Sequence, residues 1–280
     1  MRAETLLEGL AFPEGPRWHD GRLWFSDMYG PTVQAMAPCG RVEIIAEVPR
    51  NPSGLGWTPD GRLLVVSMRD RTLLRMDDGA LRPFADLSAL SGGPCNDMVV
   101  DAEGRAYVGN FGFDVLAGEE QRATMMIRVD PDGTVSVAAE GLDFPNGTVI
   151  APDGRSMIVA ESHGHRLTRF DIGADGSLSN RRLFADLGKV VPDGIALDPE
   201  GAVWVAWPRA NKALRVFEGG RIAETVEVAE GRGVYACALG GTDRQTLYLC
   251  TCTSRGPESA QVRGGRIEAA RVAVAGVGLP

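Results

Sequence analysis

A tripeptide followed six or seven residues after its middle member by an acidic residue and a glycine recurs along this 280-residue chain, and nothing else in the sequence restricts the fold as strongly. The copies read FPEGPRWHDGRLWFSDM, NPSGLGWTPDGRLLVVSM, PCNDMVVDAEGRAYVGNF, FPNGTVIAPDGRSMIVAE and VPDGIALDPEGAVWVAW, with a looser sixth in VYACALGGTDRQTLYLCTC. The middle residues of the tripeptides are Glu14, Ser53, Asn96, Asn146, Asp193 and Tyr235, at intervals of 39, 43, 50, 47 and 42 residues. A period of 40 to 50 residues marks a repeat architecture in which each copy is one supersecondary unit.

The acidic-Gly pairs (Asp20-Gly21, Asp60-Gly61, Glu103-Gly104, Asp153-Gly154, Glu200-Gly201) sit between apolar runs. Glycine supplies positive φ and aspartate tolerates it, so each pair predicts a hairpin turn. The run after each turn, such as LLVVSM or MIVAES, is apolar on consecutive positions, as in strands covered on both faces. Third and fourth strands follow, as in TLLRMDD and LRPFADL. Four antiparallel strands in each of six repeats, with almost no helical periodicity, predict an all-β, six-bladed β-propeller occupying residues 1–280 as a single domain. The last repeat supplies only three strands, and AETLLEGL precedes the first, so the ring is expected to close by pairing N- and C-terminal strands in the last blade.

Composition narrows the partners. A net charge of −8 argues against a nucleic-acid or anionic-membrane surface, which needs basic patches, and leaves a small molecule as the expected substrate. The N-terminal segment MRAETLLEGLAF has no apolar core, so neither a signal peptide nor a membrane span is expected there. Five cysteines without framework spacing fit a reduced, cytoplasmic protein, and Cys250 and Cys252 share one strand face, where they bridge poorly.

In a propeller the first strands line the channel in one direction, so the six tripeptides converge at one mouth. Their middle residues bring two carboxylates and two carboxamides together without a Lys or Arg. Such crowding is costly without a cation, and hard oxygen donors match Ca²⁺, Mg²⁺ or Mn²⁺.

FPEGPRW, CNDMVVDAEGR, FPNGT and PDGIALD carry a resemblance to the gluconolactonase, regucalcin (senescence marker protein) and luciferin-regenerating enzyme family, extending over residues 4–272. That resemblance implies one divalent cation, Ca²⁺ first and Mg²⁺, Mn²⁺ or Zn²⁺ as alternatives, held by Glu14, Asn146 and Asp193. It also implies that Asn96 is a fourth ligand or a substrate contact, that Asp193 doubles as general base, and that the reaction is the opening of a lactone. Sugar-lactonase members typically place an arginine two residues before the equivalent of Asn96, and here that residue is Pro94. A more apolar lactone or another ester-like substrate is expected in consequence, with Cys95, Phe111, Phe113, Met125 and Tyr235 as candidate pocket lining and Phe111–Ala123 as a candidate lid.

Asp97 is read either as a carboxylate behind the ring or as a cap of the inner strand. His163 and His165, in a hairpin connection, are expected to be solvated rather than ligating. The chain has no Gly-x-Ser-x-Gly nucleophile motif and no Gly-x-x-x-x-Gly-Lys phosphate loop. Two other readings of the same mouth are a metal-dependent phosphotriesterase or isomerase, and a non-catalytic propeller that binds a ligand or a protein.

Overall fold

The computed structural model describes residues 1–115 and 117–278. After β1 (Glu4–Leu10), the first blade contains β2 (Pro13–His19), β3 (Arg22–Asp27), β4 (Thr32–Met36) and β5 (Val42–Glu47). The second contains β6 (Pro52–Trp57), β7 (Leu63–Ser67), β8 (Thr72–Asp77) and β9 (Ala80–Asp86). The third contains β10 (Cys95–Val100), β11 (Ala106–Asn110), β12 (Thr124–Val129) and β13 (Val135–Leu142). The fourth contains β14 (Pro145–Ile150), β15 (Ser156–Glu161), β16 (Arg166–Ile172) and β17 (Leu178–Asp186). The fifth contains β18 (Ile195–Leu197), β19 (Val203–Trp207), β20 (Lys212–Val216) and β21 (Ile222–Glu227). The sixth contains β22 (Gly233–Gly240), β23 (Thr246–Cys252) and β24 (Gly265–Arg271), with the single-turn α1 (Ser259–Val262) before its last strand.

Each blade is a four-stranded sheet, and the sixth is completed by β1 in the order β1-β24-β23-β22. Glu4 faces Ala269 and Leu10 faces Gly265 across that closing antiparallel pair. The six-bladed, all-β ring and its closure by the two ends of the chain therefore agree with the reading of the repeats.

The turn glycines adopt the positive φ that the acidic-Gly pairs require, +70° at Gly21 and +69° at Gly154 among them. The glycines of the tripeptides have a different task. A Cβ on Gly15 would lie 2.7 Å from the Ser53 carbonyl oxygen, and one on Gly147 would lie 2.5 Å from the Ile195 nitrogen. These glycines let neighbouring inner strands approach where the ring is narrowest, and so bring the preceding residues, Glu14 and Asn146, near their counterparts.

The core lies between blades. Leu64, Val66 and Leu73 of the second blade pack with Met98, Ala106, Val108 and Ile127 of the third, for instance. This is why the second strands are apolar on both faces: one face of each blade meets the preceding blade and the other meets the next. All five cysteines are free thiols, Cys39 exposed and the other four buried. Among the described residues no helix is long and apolar enough to cross a membrane.

Candidate functional site

Glu14, Asn96, Asn146 and Asp193 line one cavity of about 200 Å³ at a mouth of the channel, together with Phe12, Met28, Tyr29, Asn51, Met68 and Pro94, among others. Local contacts hold these side chains in place. The Asp27 carboxylate accepts from the Phe12 amide at 2.7 Å and the Ala11 amide at 3.1 Å, clamping the chain as it enters β2. Glu14 Oε2 accepts from the Gly15 amide at 3.1 Å. Asn146 Nδ2 donates to Ser162 Oγ at 3.1 Å, and Ser162 in turn donates to the Pro192 carbonyl at 2.7 Å. That relay ties the fourth blade to the fifth and turns the Asn146 carboxamide so that its oxygen points away from Ser162. Ser53 donates to Asn96 Oδ1 at 3.3 Å, linking the second and third blades in the same manner.

Two carboxyl groups dominate the electrostatics of this mouth. Burial pushes the Glu14 carboxyl up to about 8, with the charge of Asp97 adding to the effect. Asp193 is raised well above the ordinary carboxylate range by burial and by the charges of Glu14 and Asp97, against a hydrogen bond from the Asn146 side chain. Two carboxylates and two carboxamides lining one partly apolar cleft supply hard oxygen donors of a kind that fits one divalent cation. Among the described residues no group of three or more His, Cys, Asp or Glu side chains gathers at this mouth or elsewhere, so a cation here would rely on carboxamides as well as on the two carboxylates.

Asp97 stands just behind this ring. Its Oδ1 accepts from the Arg17 guanidinium at 2.7 Å, and the same guanidinium donates to the Met98 carbonyl at 2.6 Å. Both side chains are about nine-tenths buried, at 10 % exposure each. Asp97 Oδ1 also accepts from the Met98 amide, so the residue both pairs behind the ring and caps its own strand. Beyond the pair the other end of the channel opens into a cavity of about 1020 Å³, lined by Arg17, Trp18, His19, Trp57 and the C-terminal segment Gly276–Gly278. This larger cavity holds none of the ring residues. Arg17→Met is expected to destabilise the protein by about 3–5 kcal/mol, because Asp97 is left buried and unpaired beside two further carboxylates. Denaturant unfolding measures this, and the double variant Arg17→Met/Asp97→Leu should recover most of the loss.

Phe111 and Tyr235 line the small cavity, whereas Cys95, Phe113 and Met125 do not. Cys95 is adjacent to Asn96 on β10 and consequently faces the other way, into the core between the second and third blades. Phe113 packs against the rings of Phe144 and His163, behind the cavity wall. Met125 lies on β12, the third strand of its blade, away from the channel. The candidate lid, Phe111–Ala123, includes Leu116, which lies outside the described residues; Asp114 and Val115 reach the cavity, and Arg122 donates to the Gly92 carbonyl at 3.1 Å.

The two histidines depart from the solvated placement expected of them. His163 is half-buried with its ring 4.6 Å from that of Phe144, and burial lowers its pKa. His165 bonds through Nδ1 to the Val190 carbonyl at 3.0 Å. Lining residues not anticipated from the repeats include Phe12, Asn51 and Phe144, each two places before a ring residue, and Met28 and Met68, each directly after a second strand. Both positions recur in register in the six copies, so the signal was present. Arg69 and Arg255 also line the cavity, and no repeat position marks them.

Residues 12–253 match the family model described as the SMP-30/Gluconolactonase/LRE-like region. The chain belongs to this family. Among individual members, the pentonolactonase XacC of Haloferax volcanii is 27% identical over 259 residues, covering 88% of this chain and 84% of that protein. The 6-deoxy-6-sulfogluconolactonase of Pseudomonas putida is 28% identical over 193 residues, covering 66% of this chain and 64% of that one. Among solved structures, a calcium-binding regucalcin from Agrobacterium tumefaciens superposes with a TM-score of 0.82 at 23% identity, over 99% of this chain and 96% of the other, which establishes a shared fold. Family membership thus spans all four ring residues proposed from the sequence, from Glu14 to Asp193.

Proposed function

We propose that this chain is a divalent-cation-dependent hydrolase that opens a lactone at the small cavity, with Glu14, Asn146 and Asp193 holding the cation and Ca²⁺ the foremost choice. The observation that carries the reading is the pair of half-buried carboxylates, Glu14 and Asp193, lining one partly apolar cavity with Asn96 and Asn146. Relatives named as lactonases support the reaction class.

When bound, the cation supplies Lewis-acid polarisation of the ester carbonyl. The chain's own residues do the rest. Asp193 accepts at its carboxylate the proton released as water adds. Asn146, fixed by Ser162, keeps its carboxamide beside Asp193. Asn96, steadied by Ser53, is placed to contact either the cation or the substrate. Phe12, Phe111, Phe144 and Tyr235 surround the site and limit the access of bulk water.

The test is a panel of lactones assayed with chelated protein and with Ca²⁺ restored, accompanied by melting curves. Turnover is expected only with metal. A cation that binds the folded ring alone adds about 2.7 kcal/mol of stability at a hundredfold excess over its Kd, so chelation should lower the Tm. Full lactone turnover by metal-free protein refutes the cation dependence. Turnover of phosphotriesters but of no lactone replaces the reaction class.

A further inference from the structure

Two polar groups in the walls of the small cavity are already engaged. Asn51 spends its Nδ2 on the Met28 carbonyl at 2.7 Å, and the Tyr235 hydroxyl donates to the Ser254 carbonyl at 3.2 Å. Much of the remaining wall is apolar: Phe12, Met28, Met68, Val115, and the stacked pair Phe111 and Phe144, whose ring centroids lie 4.3 Å apart.

Against this background two cations stand out at the rim. Arg69, directly after Met68, and Arg255, in the loop after β23, both line the cavity and both are exposed. Arg69 forms no side-chain hydrogen bond or ion pair among the described residues, although its charge acts on Tyr29. Arg255 donates to the Pro208 carbonyl at 3.3 Å, and among the described residues its guanidinium has no carboxylate partner. The nearby Glu258 Oε1 is taken up by the Arg255 and Gly256 amides, and Asp114 Oδ1 by the Ala117 amide. An arc therefore runs from Arg69 through Tyr29, Phe12 and Tyr235 to Arg255, the rings 5.7 Å and 4.5 Å apart at centroid, and faces the Phe111–Phe144 stack.

We propose that the substrate is a lactone with an apolar body and a negatively charged terminus, and that Arg69 and Arg255 receive that terminus while the ring lies over Asp193. This rests on the lactone-opening reading above and adds the charge of the substrate to it. Guanidinium groups pair with carboxylates through charge-assisted, often bidentate hydrogen bonds, and an apolar cleft behind them selects what separates the charge from the ring.

The experiment uses two matched pairs of compounds: an alkyl-substituted lactone ending in a carboxylate against the same lactone ending in a methyl group, and the two corresponding non-hydrolysable lactams. Hydrolysis of the lactones is followed kinetically, and binding of the lactams by calorimetry, for the wild type, Arg69→Gln and Arg255→Gln. The carboxylated member should be preferred on the order of tenfold in KM and in lactam Kd, shrinking with added salt and falling toward parity in either variant. Equal handling of the two members by the wild type overturns the proposal, whether or not lactones are hydrolysed. A retained lactam preference without lactone turnover sinks the hydrolytic reading and leaves the anionic ligand standing.

Discussion

Asp193→Asn should lower kcat on lactones by on the order of 10² to 10⁴, the usual worth of a positioned general base. The substitution keeps the side chain's size and one oxygen, but removes the proton acceptor and half of the paired negative charge facing the cavity. Ser53→Ala, at the matching position of the second blade, removes one 3.3 Å hydrogen bond to Asn96 and should cost less than about tenfold. Both variants are assayed at saturating metal, so that weakened cation binding is not mistaken for lost proton transfer. Near wild-type turnover by Asp193→Asn would move the reaction away from this mouth.

Deleting residues 1–10 is expected to lower the Tm by on the order of 10 °C or more. The lost strand carries all of the β1–β24 pairing and also Leu10, which is 5% exposed and packs with Leu23, Phe25, Tyr248 and Ile267. Its removal leaves β24 as an open edge beside that cluster. The segment before it holds as well, since the Ala3 amide donates to the Glu227 carbonyl at 2.9 Å and the Glu227 amide to the Met1 carbonyl at 2.8 Å, reaching across to the fifth blade. Calorimetry of the truncated protein decides it, and an unshifted melting curve would show that the closing strand does not support the ring.

The ring was legible because two independent signals kept the same phase. Turn chemistry fixed where the second strand begins in five copies, and the tripeptide glycines Gly15, Gly54, Gly147 and Gly194, now seen at inter-blade contacts, marked the first strand in four. Once those phases agree, Glu14, Asn96, Asn146 and Asp193 fall at one mouth by topology alone. The placement of Cys95 failed on the alternation of a strand: a residue next to an inward Asn96 must point into the blade interface. Phe113 and His163 were unreadable for a different reason. Phe113 is placed where a Cβ on Gly93 would sit 2.4 Å from its carbonyl oxygen, and the His163 ring lies against Phe113 and Phe144, contacts between segments that no repeat encodes. Arg255 belongs to the connection between second and third strands that, among the described residues, the sixth blade alone enlarges with a helix, so comparison between copies gives a poor register for it.

The Arg17–Asp97 pair has a consequence for the order of events in a catalytic cycle. The two cavities it separates share no lining residue, so the channel is a shaft with a floor and not a tunnel. Substrate and product must use the same doorway. On the lactone-opening reading proposed above, the hydroxy acid would have to back out past Tyr29, Phe111 and Phe144 before the next molecule could enter, making each turnover a strict exchange in which the product holds up its successor.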